Sequence, residues 1–304
     1  MLWTEKYRPH HLDEIIGQDK FVDDALSWEN GMPNVLLYGV AGVGKTAAAG
    51  ALANHILDGS KDGNFFEINA SDDRRLEVVR TTIKEIATAM KVGDVPHKIV
   101  LLDEMDGMTP DAQNALKRIM ERYSHNIRFV ITCNNRHKII TPLQSRCANY
   151  LFVKISNEDI KIVLQRIIDK ENITTISEGD LETFISAIGG DLRRAITELQ
   201  ASVASNTPLT IQITRMMEPY DDLLNLILDK KYELALSKMT ELLALSVDMK
   251  TICIHLHDSI TIGRGKDLGP LVKFKLLRVV GETEWRSSNM TPKLLAGWMI
   301  GQMI

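Results

Sequence analysis

The sequence predicts an α/β protein in which a parallel β-sheet is followed by two regions made only of helices. Over the first 155 residues, short apolar runs alternate with stretches of helical periodicity, which is typical of a doubly wound sheet. From Ser156 onward, apolar residues recur only at helical spacings of three and four. We therefore expect three domains, at residues 1–155, 156–206 and 207–304.

Five strands, with helices between them, are expected in the first domain. Each strand is a short apolar run, and the runs are Val35–Tyr38, Phe65–Asn69, Ile99–Asp103, Phe129–Cys133 and Tyr150–Val153. The Ala/Leu-rich stretch from Ala47 to Leu57 predicts a helix, and so does the apolar periodicity after Ser71. Thr109 is a suitable N-cap and Pro110 a suitable first helical residue, which predicts a further helix through Met120.

Three capped helices are expected in the second domain. Ser156 and Ser177 each stand three residues before an aspartate, a pattern that favours helix N-termini, and Asp191 caps the third helix, which ends near Ser205. Residues 207–304 have helical periodicity but no recognisable chemistry, which favours a role in packing or oligomerisation.

A phosphate-binding loop is the most specific motif in the chain. It has the pattern Gly, four residues, Gly-Lys-Thr, and with the next helical residue it comprises Gly39, Val40, Ala41, Gly42, Val43, Gly44, Lys45, Thr46 and Ala47. An apolar strand precedes the loop and a helix follows it, so backbone N–H groups and the helix N-terminus can bind the phosphates of ATP. We expect Lys45 to reach the β- and γ-phosphates and the Thr46 hydroxyl to bind Mg²⁺.

Two carboxylates complete the predicted nucleotide site. The buried-type strand Ile99–Asp103 is followed directly by Glu104. Asp103 at the strand end suits Mg²⁺, and Glu104 is placed to polarise an attacking water. The Asp-Glu pair favours hydrolysis over phosphate transfer to a hydroxyl, so we expect an ATPase.

Composition limits the class of protein further. The chain is 44 % apolar and 25 % charged, as in ordinary globular proteins. No apolar run approaches the length of a membrane span, and the N-terminal residues lack the apolar core of a signal peptide. We expect an intracellular protein of the cytoplasm or nucleoid, without a membrane partner. Three widely separated cysteines indicate neither a disulfide framework nor a zinc site.

One segment departs from the overall net charge of −4. Between Ala115 and Arg146 the only acid is Glu121, whereas the cationic residues are Lys117, Arg118, Arg122, Arg128, Arg136, Lys138 and Arg146. This segment is either a footprint for polyphosphate, in nucleotide or nucleic acid, or a solvated face.

Several segments together resemble the AAA+ ATPases, and among them the replication factor C small subunits, which are sliding-clamp loaders. The matching segments are Trp3-Thr4-Glu5-Lys6-Tyr7-Arg8-Pro9, the phosphate loop, Ile68-Asn69-Ala70-Ser71-Asp72, Asp103-Glu104, Ser145-Arg146-Cys147 and Gly190-Asp191-Leu192-Arg193-Arg194-Ala195-Ile196. The resemblance covers residues 1 to about 205. It implies a P-loop parallel-sheet domain, a three-helix lid and an all-helical C-terminal collar.

The resemblance also implies roles for single residues. Asn134 corresponds to the first sensor, near the γ-phosphate and the attacking water, and Arg193 to the second sensor, on a lid helix. Arg146 corresponds to an arginine finger that acts in trans on ATP held by a neighbouring subunit. Open alternatives are that Asn134 only ends a strand, that Arg193 is a surface residue and that Arg146 pairs with an acid of its own subunit.

DNA and protein partners follow from the same resemblance. The DNA-binding residues expected are Arg74, Arg75, Arg80 and Lys117. At Arg75 the family has glycine, so this contact differs from the family pattern. The implied assembly is a hetero-oligomer, a pentamer of a large subunit and several small ones, which loads the sliding clamp onto primer–template DNA.

Two other functions remain open. One is a different motor of the same superfamily, such as a branch-migration helicase, which the N-terminal segment and Ser145-Arg146-Cys147 argue against. The other is a scaffold subunit that binds nucleotide without hydrolysing it, which the intact Lys45, Asp103 and Glu104 argue against.

Overall fold

A five-stranded parallel sheet lies in the N-terminal part of the chain, as the alternating pattern predicts. The structure is a computed structural model that describes residues 1–28, 31–70, 76–244, 247–261 and 263–303, with side chains for all of these except 76–80, 187 and 210–217. The chain divides into two compact units, Met1–Leu209 and Thr210–Ile304.

The first unit contains the sheet and the three capped helices. Its elements are α1 (Trp3–Lys6), α2 (Asp19–Leu26), β1 (Val35–Tyr38), α3 (Lys45–Ile56), β2 (Phe65–Asn69), α4 (Leu76–Thr88), β3 (Lys98–Asp103), α5 (Pro110–Arg122), β4 (Ile127–Cys133), α6 (Thr141–Gln144), β5 (Ala148–Leu151), α7 (Asn157–Lys170), α8 (Glu178–Ile188) and α9 (Leu192–Ser205). Single 3-10 turns occupy Leu12–Glu14, Met105–Gly107 and Arg136–Lys138.

The strand order β2-β3-β4-β1-β5 brings the predicted site residues to one edge of the sheet. All pairings are parallel, and Tyr38 at the end of β1 is level with Cys133 at the end of β4. Asp103 ends β3, on the other side of β4. The segments that follow β1, β3 and β4 therefore lie side by side, which is where α/β proteins of this type bind their ligands.

Both faces of the sheet are covered, because successive residues of a strand point to opposite faces. On one face, Leu37 and Leu101 join a core that includes Leu52 of α3. On the other face, Leu36 and Leu102 join a core with α4 and α5. The phosphate loop therefore connects a strand that is buried on both sides to a helix with a largely buried face, which limits how far it can move.

Helix N-termini agree with the predicted caps wherever the structure describes them. The Thr109 hydroxyl accepts from Ala112 N at 3.4 Å, and the Ser156 and Ser177 hydroxyls accept from backbone N–H groups at 3.1 and 3.2 Å. Asp191 Oδ1 accepts from Arg194 N at 3.0 Å and caps α9. The predicted cap at Ser71 lies outside the described residues.

The predicted bounds of β5 were wrong by two residues at each end. The strand runs from Ala148 to Leu151 because Ala148 N donates to Asn34 O at 2.8 Å and starts the pairing with β1. Beyond the strand, Phe152 is buried beside Phe21, whereas Val153 is exposed. Pairing with a neighbour, rather than apolar composition, decides where this edge strand ends.

Strand β3 begins one residue earlier than predicted, at a fully buried lysine. The Lys98 ammonium donates to the backbone oxygens of Ile86 and Ala89 at 2.8 and 2.7 Å, at the end of α4. These carbonyls are among those that a helix C-terminus leaves without an intrahelical partner. Lys98 therefore caps α4, although a lysine is a poor indicator of a buried strand.

The second unit is entirely helical within its described residues. Its elements are α10 (Leu209–Leu228, whose first residue belongs to the first unit), α11 (Tyr232–Ala244), α12 (Met249–Thr261), a 3-10 turn (Arg264–Asp267), α13 (Pro270–Arg286) and α14 (Pro292–Met303). The helices enclose one core to which Leu224, Met239, Leu256 and Met299 contribute. The helical periodicity after residue 207 predicted this architecture correctly.

Candidate active site

The phosphate loop connects β1 to α3 and requires glycine at two close approaches. A Cβ added at Gly39 would lie 2.1 Å from the backbone oxygen of Phe152. A Cβ at Gly42, where φ is +80°, would lie 2.0 Å from Oδ1 of Asp191. Glycine is required at Gly42 both for its left-handed backbone and for this contact with the residue that caps α9.

Lys45 and Asn134 meet at the sheet edge. The Lys45 ammonium donates to the backbone oxygens of Gly39 and Val40 at 2.9 and 2.7 Å and to Asn134 Oδ1 at 2.8 Å. Burial lowers the pKa of Lys45, whose residue is only 8 % exposed. Two residues predicted from separate motifs thus share one hydrogen bond, at the point where β1 and β4 end.

Asp103 and Thr46 also meet. The Thr46 hydroxyl lies 3.1 Å from each Asp103 carboxylate oxygen, and the Thr132 hydroxyl donates to Oδ1 of the same carboxylate. This donor set consists of a hydroxyl and a carboxylate, which fits a hard cation such as Mg²⁺ that keeps several of its waters. Within the described residues, no group of three or more His, Cys, Asp or Glu side chains forms a metal cluster.

Glu104 lies in an unusual backbone conformation. Its φ of +54° is left-handed, and its N–H donates to the Thr132 hydroxyl at 3.1 Å. A non-glycine residue in this region costs about 1–3 kcal/mol, and such residues cluster at functional sites. The same conformation occurs at Asp58, Asn172, Asn206 and Lys230, which do not line the cavity described below, so the predicted role of Glu104 rests on its position after Asp103.

A cavity of about 370 Å³ contains most of the predicted site. The predicted residues that line it are Ala41, Gly42, Val43, Gly44, Lys45, Thr46, Ala47, Asp103, Glu104, Asn134 and Arg193. Arg193, the second residue of α9, is exposed. The sheet edge and the lid helices thus contribute to one cavity.

One wall of the cavity was not predicted as part of the site. Residues 4–10 line it, together with Arg166, Ile167 and Lys170 of α7. The N-terminal segment was recognised only as a motif of a related family and received no site role. It contains the cations Lys6 and Arg8 and the aromatic Tyr7, but these residue types are common on protein surfaces, so only their position in the cavity identifies them.

Arg146 does not line this cavity. Its Nε and one terminal nitrogen donate to Oε1 of Glu121, with the Nε contact at 3.0 Å, and its other terminal nitrogen donates to Pro142 O at 2.7 Å. The ion pair is partly exposed, with side-chain exposures of 35 % for Arg146 and 51 % for Glu121. In this structure Arg146 thus pairs with an acid of its own chain, which was the open alternative. Its action on a neighbouring subunit stays a prediction.

The basic segment separates into residues with different surroundings. Arg128 is held by backbone oxygens, with Nε 2.6 Å from Met32 O and a terminal nitrogen 3.1 Å from Ile127 O. By contrast, Arg118 and Arg122 are exposed on α5, and Lys117 is half-buried there.

The remaining DNA predictions fall on α4 and the segment before it. Arg74 and Arg75 lie outside the described residues. Arg80 lies within α4, and its side chain is outside the description.

The fold and the site define an ATPase. Residues 35–155 match the family described as "ATPase family associated with various cellular activities (AAA)". Solved structures of Thermotoga maritima RuvB, a Holliday junction branch migration motor, have a similar fold. One has a TM-score of 0.56 at 17 % identity over 84 % of this chain and 88 % of that one. A single-residue variant of the same motor has a TM-score of 0.58, also at 17 % identity and over the same shares.

Relatives of higher identity define the family more narrowly. The replication factor C small subunit of Methanoculleus marisnigri is 37 % identical over 95 % of this chain and 91 % of the relative. That of Methanoregula boonei is 38 % identical over the same shares. The replication factor C small subunit of Methanococcus maripaludis strain C7 is 42 % identical over 69 % of this chain and 67 % of the relative. The chain belongs to the family of replication factor C small subunits.

No helix in the described parts of the chain combines the length and apolarity needed to cross a membrane.

Proposed function

We propose that this chain is a small subunit of an ATP-driven clamp loader, which opens a sliding clamp and places it on primer–template DNA during replication. The observation that carries the proposal is the cavity in which Lys45, Thr46, Asp103, Glu104 and Asn134 converge. Because this set includes residues for binding phosphate, for holding Mg²⁺ and for activating water, it favours an active ATPase over a nucleotide-binding scaffold. Family membership over most of the chain favours clamp loading over branch migration.

Hydrolysis needs a water, a base and stabilisation of charge on the phosphates. In the proposed reaction, Glu104 takes a proton from a water whose oxygen attacks the γ-phosphorus. The bond from that phosphorus to the β–γ bridging oxygen breaks, which leaves ADP and phosphate. Lys45 stabilises the charge that develops on the transferred group, and Asn134 orients the water. Mg²⁺ held by Thr46 and Asp103 would neutralise charge on the β- and γ-phosphates.

Arg146 is proposed to complete the site of a neighbouring subunit. Its position outside its own cavity and its partly exposed guanidinium support this role. An arginine supplied in trans contributes about 10³–10⁵ in rate to hydrolysis in related reactions. Assembly would then switch on ATPase activity, since an isolated chain has no finger for its own nucleotide.

DNA is proposed to bind along α4 and α5. Exposed Arg118 and Arg122, with half-buried Lys117, offer cations on α5, and we propose further contacts from Arg74, Arg75 and Arg80. Such contacts would follow phosphates without reading sequence. The second unit is proposed to be a collar that joins several small subunits and one large subunit in a pentamer.

Variants of the cavity test the ATPase site. Glu104→Gln should keep ATP binding and lower turnover by about 100-fold or more, because it removes the charge but not the shape. Lys45→Ala should weaken ATP binding by about tenfold or more, because it removes a direct phosphate contact. Lys20→Ala and Glu158→Gln, which change exposed residues away from the cavity, are matched controls. Turnover of Glu104→Gln at the wild-type rate would refute the assignment.

A mixing experiment tests action in trans. Arg146→Ala subunits and Lys45→Ala subunits are each assembled with the large subunit, alone and together, and the ATPase rate is measured with clamp and primer–template DNA. In mixed assemblies, some interfaces join an intact cavity to an intact Arg146, so activity should return. If no mixture recovers activity although assembly is verified, Arg146 does not act in trans.

A further inference from the structure

Glu171 ties the N-terminal segment to the lid. The Lys6 ammonium and the Tyr7 hydroxyl both donate to its Oε1, at 2.5 and 2.6 Å. Glu171 directly follows α7, and its side chain is 21 % exposed. Hydrogen bonds to a charged acceptor are about twice as strong as those between neutral groups. This carboxylate is therefore a strong anchor for a segment whose regular structure is the short helix α1.

A second anchor holds the same segment. Trp3 N donates to Gln200 Oε1 at 2.8 Å, and Gln200 Nε2 donates to Met1 O at 3.1 Å. The Trp3 ring is buried and meets the Tyr7 ring edge to face, with centroids 6.4 Å apart. The segment is thus attached to two lid helices, at the end of α7 through Glu171 and in the middle of α9 through Gln200.

Two helices, α9 and α3, separate the phosphate loop from the N-terminal segment along their length. Helix α9 is capped at its loop end by Asp191, beside Gly42, and nine residues later Gln200 accepts from Trp3 N, directly before the wall. At 1.5 Å per residue, nine helical residues span about 13 Å.

Helix α3 gives the same span. It begins at Lys45 in the loop and reaches the wall nine residues later, where Asn54 donates to His10 O at 2.7 Å. Each helix therefore separates the phosphate loop from the N-terminal segment by about 13 Å.

We infer that Glu171 is a positioning residue for the nucleoside part of the bound nucleotide. The inference rests on the proposed binding of phosphates at the loop, because that end fixes the direction in which the nucleoside extends. With the phosphates at the loop, the sugar and base extend toward the wall formed by residues 4–10. Glu171 holds this wall through Lys6 and Tyr7, and the cations of Lys6 and Lys170 lie 5.3 and 5.7 Å from the Tyr7 ring centre.

The test compares two ligands on the full-length protein. ATP needs both ends of the cavity, whereas inorganic tripolyphosphate needs only the loop. Binding of each, with Mg²⁺, is measured by calorimetry for wild type, Glu171→Gln and Tyr7→Phe. Glu178→Gln is the matched control, because it breaks a lid ion pair to Lys161 at 2.7 Å and Glu178 does not line the cavity.

Glu171→Gln should weaken ATP binding about fivefold or more, since it removes the charge from two hydrogen bonds. Tyr7→Phe should weaken ATP binding in the same direction, and tripolyphosphate binding should change less than about twofold in both variants. In assembled complexes, KM for ATP should rise while kcat stays constant, because the wall does not touch the reacting phosphates.

Three results would overturn the inference. ATP binding could be unchanged in both variants, or ATP and tripolyphosphate binding could fall by the same factor, which would indicate general distortion. The control Glu178→Gln could also reproduce the effect. In each case wild-type ATP binding would leave the proposed function standing, whereas a wild-type chain that binds no ATP would overturn both.

Discussion

His97 should make the first unit lose stability in mild acid. The residue lies directly before β3, is 4 % exposed, and its Nε2 has no hydrogen-bond partner among the described residues. Burial, assisted by the positive charges of Arg128 and Lys91, lowers the pKa of His97 from 6.5 to about 4. Protonation in the folded chain would place an unpaired charge in the interior, which is strongly unfavourable.

The direction of the pH dependence follows from proton binding in the folded and unfolded states. In the unfolded chain His97 titrates near its ordinary pKa of about 6.5, so between about pH 6.5 and 4 the unfolded state binds more protons. Stability is then full above pH 6.5 and falls as the pH decreases toward 4. For these two pKa values, linkage gives a loss of about 2 kcal/mol between pH 7.5 and pH 5. This corresponds to roughly 4–8 °C in Tm for a unit of this size.

Two carboxylates with lowered pKa values affect stability only below this pH interval. Hydrogen bonds from the His10 N–H and the Lys6 ammonium lower the pKa values of Glu14 and Glu171. Their contributions to stability are complete above the unfolded pKa of about 4.3 and are lost only below it. Because the chain has eight histidines, the loss between pH 7.5 and pH 5 is assigned to His97 by comparing wild type with a variant of this residue.

Scanning calorimetry of wild type and His97→Gln measures the effect. The transition of the first unit is recognised as the one that ATP raises, since a ligand stabilises the unit that binds it. His97→Gln cannot take up the proton, so its Tm should fall less than that of wild type between pH 7.5 and pH 5. Equal falls in the two proteins would refute the reasoning.

Two further predictions concern the phosphate loop and the basic segment. Gly42→Ala should lower ATP affinity and cost about 1 kcal/mol or more, because of its left-handed backbone and its contact with Asp191. Gly50→Ala, inside α3 with open space around the added Cβ, should stabilise by about 0.5–1 kcal/mol, and comparable losses in both variants would contradict the prediction. Arg118→Ala should lower the slope of log affinity for primer–template DNA against log salt by about one, with little change in Tm. Arg128→Met should instead lower Tm and leave that slope unchanged, because the Arg128 guanidinium binds backbone oxygens. If Arg118→Ala lowered Tm and Arg128→Met lowered the slope, exposure would not distinguish DNA-binding from structural arginines in this segment.

Local sequence was sufficient to predict features whose interactions lie within one short segment. The phosphate loop needs glycines, a lysine and a threonine at set positions between a strand and a helix, so nine consecutive residues predict it. Likewise, a helix cap depends on one side chain and an N–H a few residues later, as at Thr109, Ser156 and Asp191. The parallel sheet followed from the same kind of local pattern.

Local sequence was insufficient where a residue's surroundings come from distant parts of the chain. Arg118 and Arg128 are equivalent in composition and charge, yet one is exposed on a helix and the other binds backbone oxygens that include Met32 O. Lys98 contradicts the apolar pattern of a buried strand because α4 supplies carbonyls for its ammonium.

The sequence by itself determined the chemistry of the phosphate end of the site, because loop, strand ends and helix N-terminus are encoded locally and brought together by regular parallel pairing. Tertiary structure alone decided the other end. Tyr7 meets Glu171 across 164 residues and Trp3 meets Gln200 across 197, and no periodicity or motif in either segment specifies such a pairing. These contacts arise because packing of the lid helices brings α7 and α9 against the N-terminal segment, and packing depends on the whole folded unit.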